Sequence, residues 1–165
     1  MEYMGSEGPG YPMYCVSWYD GLRFCCRLSK RIGLKLSLPT EAQWEYACRA
    51  GSTTPFVFGC EFNAYKASCG GPYWMGPSAV AKHCAPNAWG LYDMLGNVQE
   101  WCQDRYGDYP SGEVTDPTGP AEGASRVLRG GRWDHEIKDC RSASRHACYA
   151  GFRLRYIGFR VVADE

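Results

Sequence analysis

Ten cysteines and three histidines are the residues of this chain best suited to metal, redox or nucleophilic chemistry. No two cysteines have the Cys-X-X-Cys spacing that is typical of a structural zinc site. The histidines lie in no metalloprotease or catalytic-nucleophile motif. Cys60, Cys69 and Cys84 fall in a Gly-rich stretch, in which a disulfide and a metal clip both remain open alternatives.

Two capped helices and a few short strands are predicted to position these residues. Ser17 is a suitable N-cap for a helix over 18–31, where apolar residues recur at helical spacing. Thr40 is a suitable N-cap for a second helix that ends near Ala50. Residues 52–86 have no clear period and indicate a long irregular region, and strands are expected at 126–131 and 157–162.

Length and composition favour one globular domain over residues 1–165, with residues 1–14 loose. Hydrophobic residues make up 45% of the chain and aromatic residues 15%, which predicts a loop-rich domain with a core of rings. No apolar run approaches the roughly 18 residues of a membrane span, and no signal peptide is visible, so the compartment stays undetermined.

The net charge is zero, but residues 126–160 contain eight arginines and one lysine against three carboxylates. Two interpretations of this basic segment stay open: arginines held in structural ion pairs, or a basic surface that attracts acidic ligands. The chain contains no nucleic-acid-binding motif.

Four segments, in order and spacing, resemble the formylglycine-generating-enzyme (sulfatase-modifying factor) family. They are Val-Ser-Trp-Tyr-Asp at 16–20, Leu-Pro-Thr-Glu-Ala-Gln-Trp-Glu-Tyr-Ala at 38–47, Asn-Ala-Trp-Gly-Leu-Tyr-Asp-Met-Leu-Gly-Asn-Val-Gln-Glu-Trp at 87–101, and Arg-Val-Leu-Arg-Gly-Gly at 126–131 with Ile-Gly-Phe-Arg at 157–160. The resemblance implies an α+β fold of the C-type-lectin-like class, with two helices, small antiparallel sheets and much irregular loop. It also implies that Trp44, Trp89 and Trp101 are core rings.

The segment 96–100 is similar to the family's calcium loop. In that interpretation Asn97 and Glu100 supply side-chain oxygens and Val98 supplies its carbonyl oxygen, which are ligands that a hard cation prefers. The alternative is that Asn97 turns the chain and Glu100 pairs with an arginine. The resemblance therefore predicts calcium as an optional cofactor, and it predicts no required one.

The enzyme that names the family binds copper through two cysteines, and soft thiolates suit Cu(I). Aligned on the Arg-Gly-Gly phrase, the second cysteine position falls on Cys140 and the first on His135. Arg132 also replaces the small serine that is usual after the glycines. We therefore expect no enzymatic activity. The alternative is a formylglycine-generating-type copper oxidase, or another metalloenzyme, centred on Cys140.

The segment after Trp133 is similar to the variable proteins of diversity-generating retroelements, in which adenines of a template codon are mutated. Replacement of the two adenines of an Asn codon by any bases cannot give a codon for Glu, Lys, Met, Gln or Trp. None of these five residues occurs over 144–156. Such an absence arises by chance about one time in twenty at average residue usage. Glu136 and Lys138 do not fit this codon pattern and require another template codon or a fixed position.

The resemblance and the residue types together predict a ligand-binding surface on a fixed scaffold. Its aromatic and basic side chains alternate with small residues without a helical or strand period, which favours exposed loops. The expected partner is a protein or a peptide, and a purely structural module within a longer chain is a further alternative. The predicted display residues are Arg132, Asp134, His135, Ile137, Asp139, Ser144, His146, Ala147, Cys148, Tyr149, Phe152, Leu154, Arg155 and Tyr156.

Overall fold

The two predicted helices form because both N-termini are capped by the residues that the sequence indicates. In the computed structural model, which describes residues 8–61, 67–71, 76–82 and 84–163, helix α1 spans Trp18–Ile32 and helix α2 spans Glu41–Arg49. Ser17 and Thr40 each complete a reciprocal capping box, which satisfies amide donors that a helix start leaves free. Both helices are thereby fixed at their N-terminal ends.

The strands form two small sheets. Strand β1 (Leu36–Ser37) pairs with β6 (Val162–Ala163), and the main sheet has the order β4-β3-β2-β5. Strands β2 and β3 pair antiparallel, β3 and β4 pair antiparallel, and β5 pairs parallel with β2. Within the part of the chain that the structure describes, strand β4 is therefore an edge of the main sheet. The bounds of the main-sheet strands are Gln99–Arg105 (β2), Ser125–Arg129 (β3), Arg145–Tyr149 (β4) and Ile157–Gly158 (β5).

Two apolar clusters fill the interior on the two sides of the main sheet. The first contains Trp44 of α2 and Val127 of β3. The second contains Trp18 of α1 with Trp101 of β2 and Leu128 of β3. Because Val127 and Leu128 are consecutive residues of a strand, they point to opposite faces and connect the sheet to both clusters.

Three expectations from the sequence are wrong in detail. Trp89 is 49% exposed and packs edge-on against Tyr46, so it is not a core ring. Residues 145–149 form an edge strand where a loop was expected, because their backbone pairs with β3 even though their side chains lack a regular pattern. The closing strand at 157–162 is broken into β5 and β6.

The arginines of the basic segment are mostly held in structural contacts, as the first of the two interpretations predicts. Arg145 donates to both carboxylate oxygens of Glu41 at 2.8 and 2.6 Å. Arg129 is fully buried and donates to the carbonyl oxygens of Ser142 and Ser144. Further contacts join Arg126 to the Trp18 ring, Arg132 to Asp134, Arg153 to Asp20 and Arg160 to Glu100.

Candidate functional site

The predicted display residues lie around edge strand β4 and the segments on either side of it. None of the fourteen is fully buried. Four of them are the most open to solvent: Ile137, Ala147, Tyr149 and Phe152. The other ten are half-buried: Arg132, Asp134, His135, Asp139, Ser144, His146, Cys148, Leu154, Arg155 and Tyr156.

Ring contacts connect the segments that carry these residues. The His135 and His146 rings lie with centroids 5.0 Å apart, which joins the segment before the 3-10 turn (Ile137–Cys140) to β4. The Arg132 guanidinium lies 3.7 Å from the centroid of the Tyr156 ring, a cation–π contact. These contacts bring residues that are 11 and 24 positions apart in the chain into one surface region.

An exposed aromatic pair forms the most accessible part of this region. The Tyr149 and Phe152 rings have centroids 5.6 Å apart, and the two residues are 57% and 53% exposed. The backbone amide of Phe152 donates to the carbonyl of Tyr149 at 3.0 Å, so a tight turn fixes their spacing. Large rings held at a rigid turn offer contact area at low entropic cost.

The predicted residues do not all share one face. In the β3–β4 register His146 lies opposite Leu128 and Ala147 lies opposite Val127, so alternate residues of β4 point to opposite sides of the sheet. Cys148, Leu154 and Tyr156 also pack against the second apolar cluster. The display residues therefore surround an edge strand and include three side chains that partly support the core.

The electrostatics of the region favour neutral histidines beside a paired arginine. Arg132 donates to Asp134 at 2.7 Å. Burial lowers the pKa of His135 to about 4, with Arg132 and His146 acting in the same direction. Burial also lowers the pKa of His146. Both rings are therefore neutral at pH 7, and His135 Nδ1 and His146 Nε2 are buried without a hydrogen-bond partner.

The thiolate pair that copper would need is not formed by positions 135 and 140. Position 135 is a histidine whose ring contacts His146. The Cys140 thiol is fully buried, lies 3.9 Å from the Arg132 carbonyl oxygen and hydrogen-bonds the Cys69 thiol. Within residues 8–61, 67–71, 76–82 and 84–163, no group of three or more His, Cys, Asp or Glu side chains is arranged to hold a metal ion.

The side-chain oxygens of the proposed calcium loop have protein partners. The Glu100 carboxylate accepts from the Trp44 indole at 2.6 Å and from Arg160 at 2.7 Å. The Asn97 amide exchanges hydrogen bonds with the backbone of Ser78, at 3.1 and 3.3 Å. Asn97 has φ +61°, which is the turn conformation of the alternative interpretation. Calcium binding by Asn97, Val98 and Glu100 stays an untested prediction.

A cavity of about 750 Å³ near β4 was not anticipated from the sequence. It lies between α2 and residues 107–120, and its floor includes the Arg145–Glu41 ion pair. The Arg145 guanidinium also lies over the Tyr106 and Tyr109 rings, at 4.6 and 4.1 Å from their centroids. No local pattern could have located it, because its walls come from segments up to 104 positions apart.

Solved structures with this architecture include two with a TM-score of 0.85. One is described as Treponema denticola variable protein 1, which is 29% identical and is matched over 96% of this chain and 73% of its own. The other is PvdO from Pseudomonas aeruginosa, which is 33% identical, with coverage of 96% and 64%. Among the described residues, no helix is long and apolar enough to cross a membrane.

Curated relatives are longer proteins. The chain is 38% identical over 160 residues to the serine/threonine-protein kinase pkn1 of Chlamydia pneumoniae, of which it spans 24%. It is 32% identical over 175 residues to the formylglycine-generating enzyme of Bos taurus, of which it spans 45%. The chain thus spans less than half the length of these two relatives. Residues 4–165 match the sulfatase-modifying factor enzyme 1-like domain, and the chain therefore belongs to that family.

Proposed function

We propose that this chain is a ligand-binding module of the variable-protein type, in which residues 132–156 present a diversified surface on a fixed scaffold. The observation that carries the proposal is the exposed Tyr149–Phe152 pair at the end of edge strand β4. Solvent-exposed rings of this size contribute little to a core, and they are the side chains that recognition surfaces favour. The similarity to Treponema denticola variable protein 1 supports the same proposal.

The proposed ligand is a protein or a peptide. Tyr149 and Phe152 supply exposed apolar area, and polar residues of the same display segment, such as Arg155, are partly exposed. An apolar centre with a polar border is the usual anatomy of a protein-binding patch. The outer side of β4 also lacks a neighbouring strand in the sheet order of the described residues, which leaves main-chain groups at that edge for an extended peptide.

Sequencing of the encoding locus tests diversification directly. We expect a reverse-transcriptase gene within a few kilobases and a repeat of codons 126–160 that differs only at template adenines. The codons of Glu136 and Lys138 supply an internal check, because each must derive from a codon other than an Asn codon or be identical in the repeat. A locus without such a repeat would contradict the proposed diversification, and ligand binding would then be tested separately.

A random peptide library tests binding without a known ligand. Peptides selected on the wild-type chain are expected to bind the Tyr149→Ala/Phe152→Ala double variant at least about tenfold more weakly, since the loss of two rings removes a hot-spot-sized contribution. The matched control is Tyr46→Ala, which removes a 69% exposed ring outside the display segment. Peptides that respond to the control and not to the double variant would place the binding surface elsewhere.

A second candidate function is a metalloenzyme centred on Cys140. It is supported by the retained cysteine and by relatives named formylglycine-generating enzyme. The histidine at position 135 argues against this function, because copper cannot be coordinated linearly by two thiolates at positions 135 and 140. Copper analysis of the purified chain, together with an assay for oxidation of a cysteine-containing peptide, distinguishes the two candidates. Stoichiometric copper with turnover would favour the enzyme.

A further inference from the structure

A pair of thiols lies beneath the display segment. Cys140 belongs to the 3-10 turn and is fully buried, and its thiol hydrogen-bonds the thiol of Cys69 from a separate loop. All ten cysteines are reduced in this structure. The two thiols are therefore neighbours that no disulfide joins.

Backbone contacts hold the two loops together independently of the sulfurs. The amide of Gly70 donates to the carbonyl of His135 at 3.0 Å, and the amide of Gly71 donates to the carbonyl of Trp133 at 2.7 Å. The residue after Cys69 is thus tied directly to the segment that precedes Cys140. This arrangement fixes the approach of the two thiols without requiring a covalent bond.

The side chain of Cys140 is tightly confined by the residues packed around it. A Cβ at Gly131 would lie 2.5 Å from the Cys140 sulfur and 3.1 Å from its Cα, so only glycine permits this packing. Gly131 has φ +72°, which glycine also adopts without strain. The Cys140 sulfur is consequently confined between the glycine turn and Cys69.

The two thiols differ in the way that thiol–disulfide exchange requires. Cys69 is only partly buried, whereas Cys140 is fully buried. Cys69 is therefore the accessible nucleophile and Cys140 the protected resolving thiol.

We propose that Cys69 and Cys140 form a reversible disulfide by exchange with a small-molecule disulfide of the glutathione type, and that this bond fastens the display segment to the scaffold. The Cys69 thiolate attacks oxidised glutathione, which forms a mixed disulfide and releases one glutathione thiolate. Cys140 then attacks the Cys69 sulfur, loses its proton to solvent or to the departing thiolate, and releases the second glutathione. One protein dithiol and one oxidised glutathione become one protein disulfide and two glutathiones.

The closed bond would link positions 71 residues apart, a separation for which chain-entropy arguments predict substantial stabilisation.

Peptide mapping of the purified chain in glutathione buffers tests the proposal. Trypsin separates the relevant cysteines, because Cys69 falls in peptide 67–82, Cys140 in peptide 139–141 and Cys84 in peptide 83–105. After incubation with oxidised glutathione and alkylation of free thiols, we expect a crosslinked pair of 67–82 with 139–141. The oxidised chain should melt roughly 10 °C above the reduced chain.

Variants separate the proposed pair from its neighbour. Cys69→Ser should lose both the crosslink and the thermal shift, whereas Cys84→Ser, the matched control for a nearby buried thiol, should keep them. A crosslink of 67–82 with 83–105, a stable glutathione adduct at Cys69, or no oxidation at all would each overturn the proposal. The readout needs no ligand, so its failure would leave the proposed binding function untouched.

Discussion

The Arg160–Glu100 ion pair provides a direct test of what the Gly-Asn-Val-Gln-Glu loop at 96–100 does. Arg160 donates to Glu100 and to the carbonyl of Tyr92, while the Trp44 indole donates to the same carboxylate at 2.6 Å. The Glu100 side chain is 8% exposed and that of Arg160 is 23% exposed. Burial alone would lower the pKa of Arg160, but the Glu100 carboxylate outweighs it and the pKa is raised.

The substitution Arg160→Met should therefore leave a carboxylate buried without its cation. Removal of one partner of a buried pair costs about 3–5 kcal/mol, and the partial exposure of Arg160 favours the low end, about 3 kcal/mol. For a chain of this size that free energy corresponds to a fall in Tm of about 6–12 °C. The additional substitution Glu100→Gln should recover part of this loss, because it removes the unpaired charge and keeps an acceptor for Trp44.

Thermal melts with and without calcium provide the assay. The control is Arg23→Met, since the Arg23 side chain is 72% exposed, lies 3.7 Å from Asp20 and should contribute no more than about 1 kcal/mol. If Glu100 serves as the partner of Arg160, as in the alternative interpretation of this loop, the wild-type Tm should be the same in EDTA and in millimolar calcium. A structural role for the ion pair is refuted if Arg160→Met lowers the Tm no more than the control, or if calcium raises the wild-type Tm and Glu100→Gln abolishes that gain.

Three further predictions concern the turn beneath the display segment, a helix cap and the display surface. Gly131→Ala should destabilise the chain by about 2 kcal/mol more than Gly33→Ala. Both glycines have positive φ, but only at Gly131 would the new Cβ meet neighbouring atoms. Urea denaturation of both variants measures the difference in the free energy of unfolding. Arg153 lowers the pKa of Asp20, so the carboxylate stabilises the fold above the pKa of the unfolded chain, about 4, and this contribution is lost as the pH falls below it. Asp20→Asn should accordingly be less stable than wild type at pH 7 and approach it near pH 2, and equal differences at both pH values would contradict this. Tyr149→Ser should shift Tm by less than about 2 °C, since a 57% exposed ring contributes little to the core, and a shift of 5 °C or more would show that the ring is structural.

The helices could be predicted from the sequence because their signals are local. Ser17 and Thr40 form capping boxes with residues three positions later, so the helix starts need no tertiary information. The Trp89 ring could not be assigned in the same way. It lies in a family-like segment beside buried Met94 and Trp101, and only the tertiary structure shows that it packs on exposed Tyr46.

The sequence predicts which residues belong to the display region, but it does not predict their secondary structure. Strand β4 could not be predicted because its side chains are Arg, His, Ala, Cys and Tyr, which do not alternate between apolar and polar. Its pairing is imposed by five register contacts with β3. The proximity of Cys69 and Cys140 could not be predicted for a different reason. The two cysteines are 71 positions apart, and the sequence carries no signal that selects one partner of Cys69 among the other nine cysteines.

The position of β4 explains how side-chain variation there can be tolerated. The strand is held mainly through its backbone: β3 pairs with all five of its residues, and buried Arg129 of β3 donates to the carbonyls of Ser142 and Ser144 just before it. These contacts do not depend on which side chains residues 146–149 carry. Because the backbone holds this edge strand in place, the free energy of folding should depend little on which side chains occupy the proposed ligand-contacting positions. The half-buried exceptions, such as Cys148 and Leu154, should therefore tolerate substitution less well than Ala147 or Tyr149.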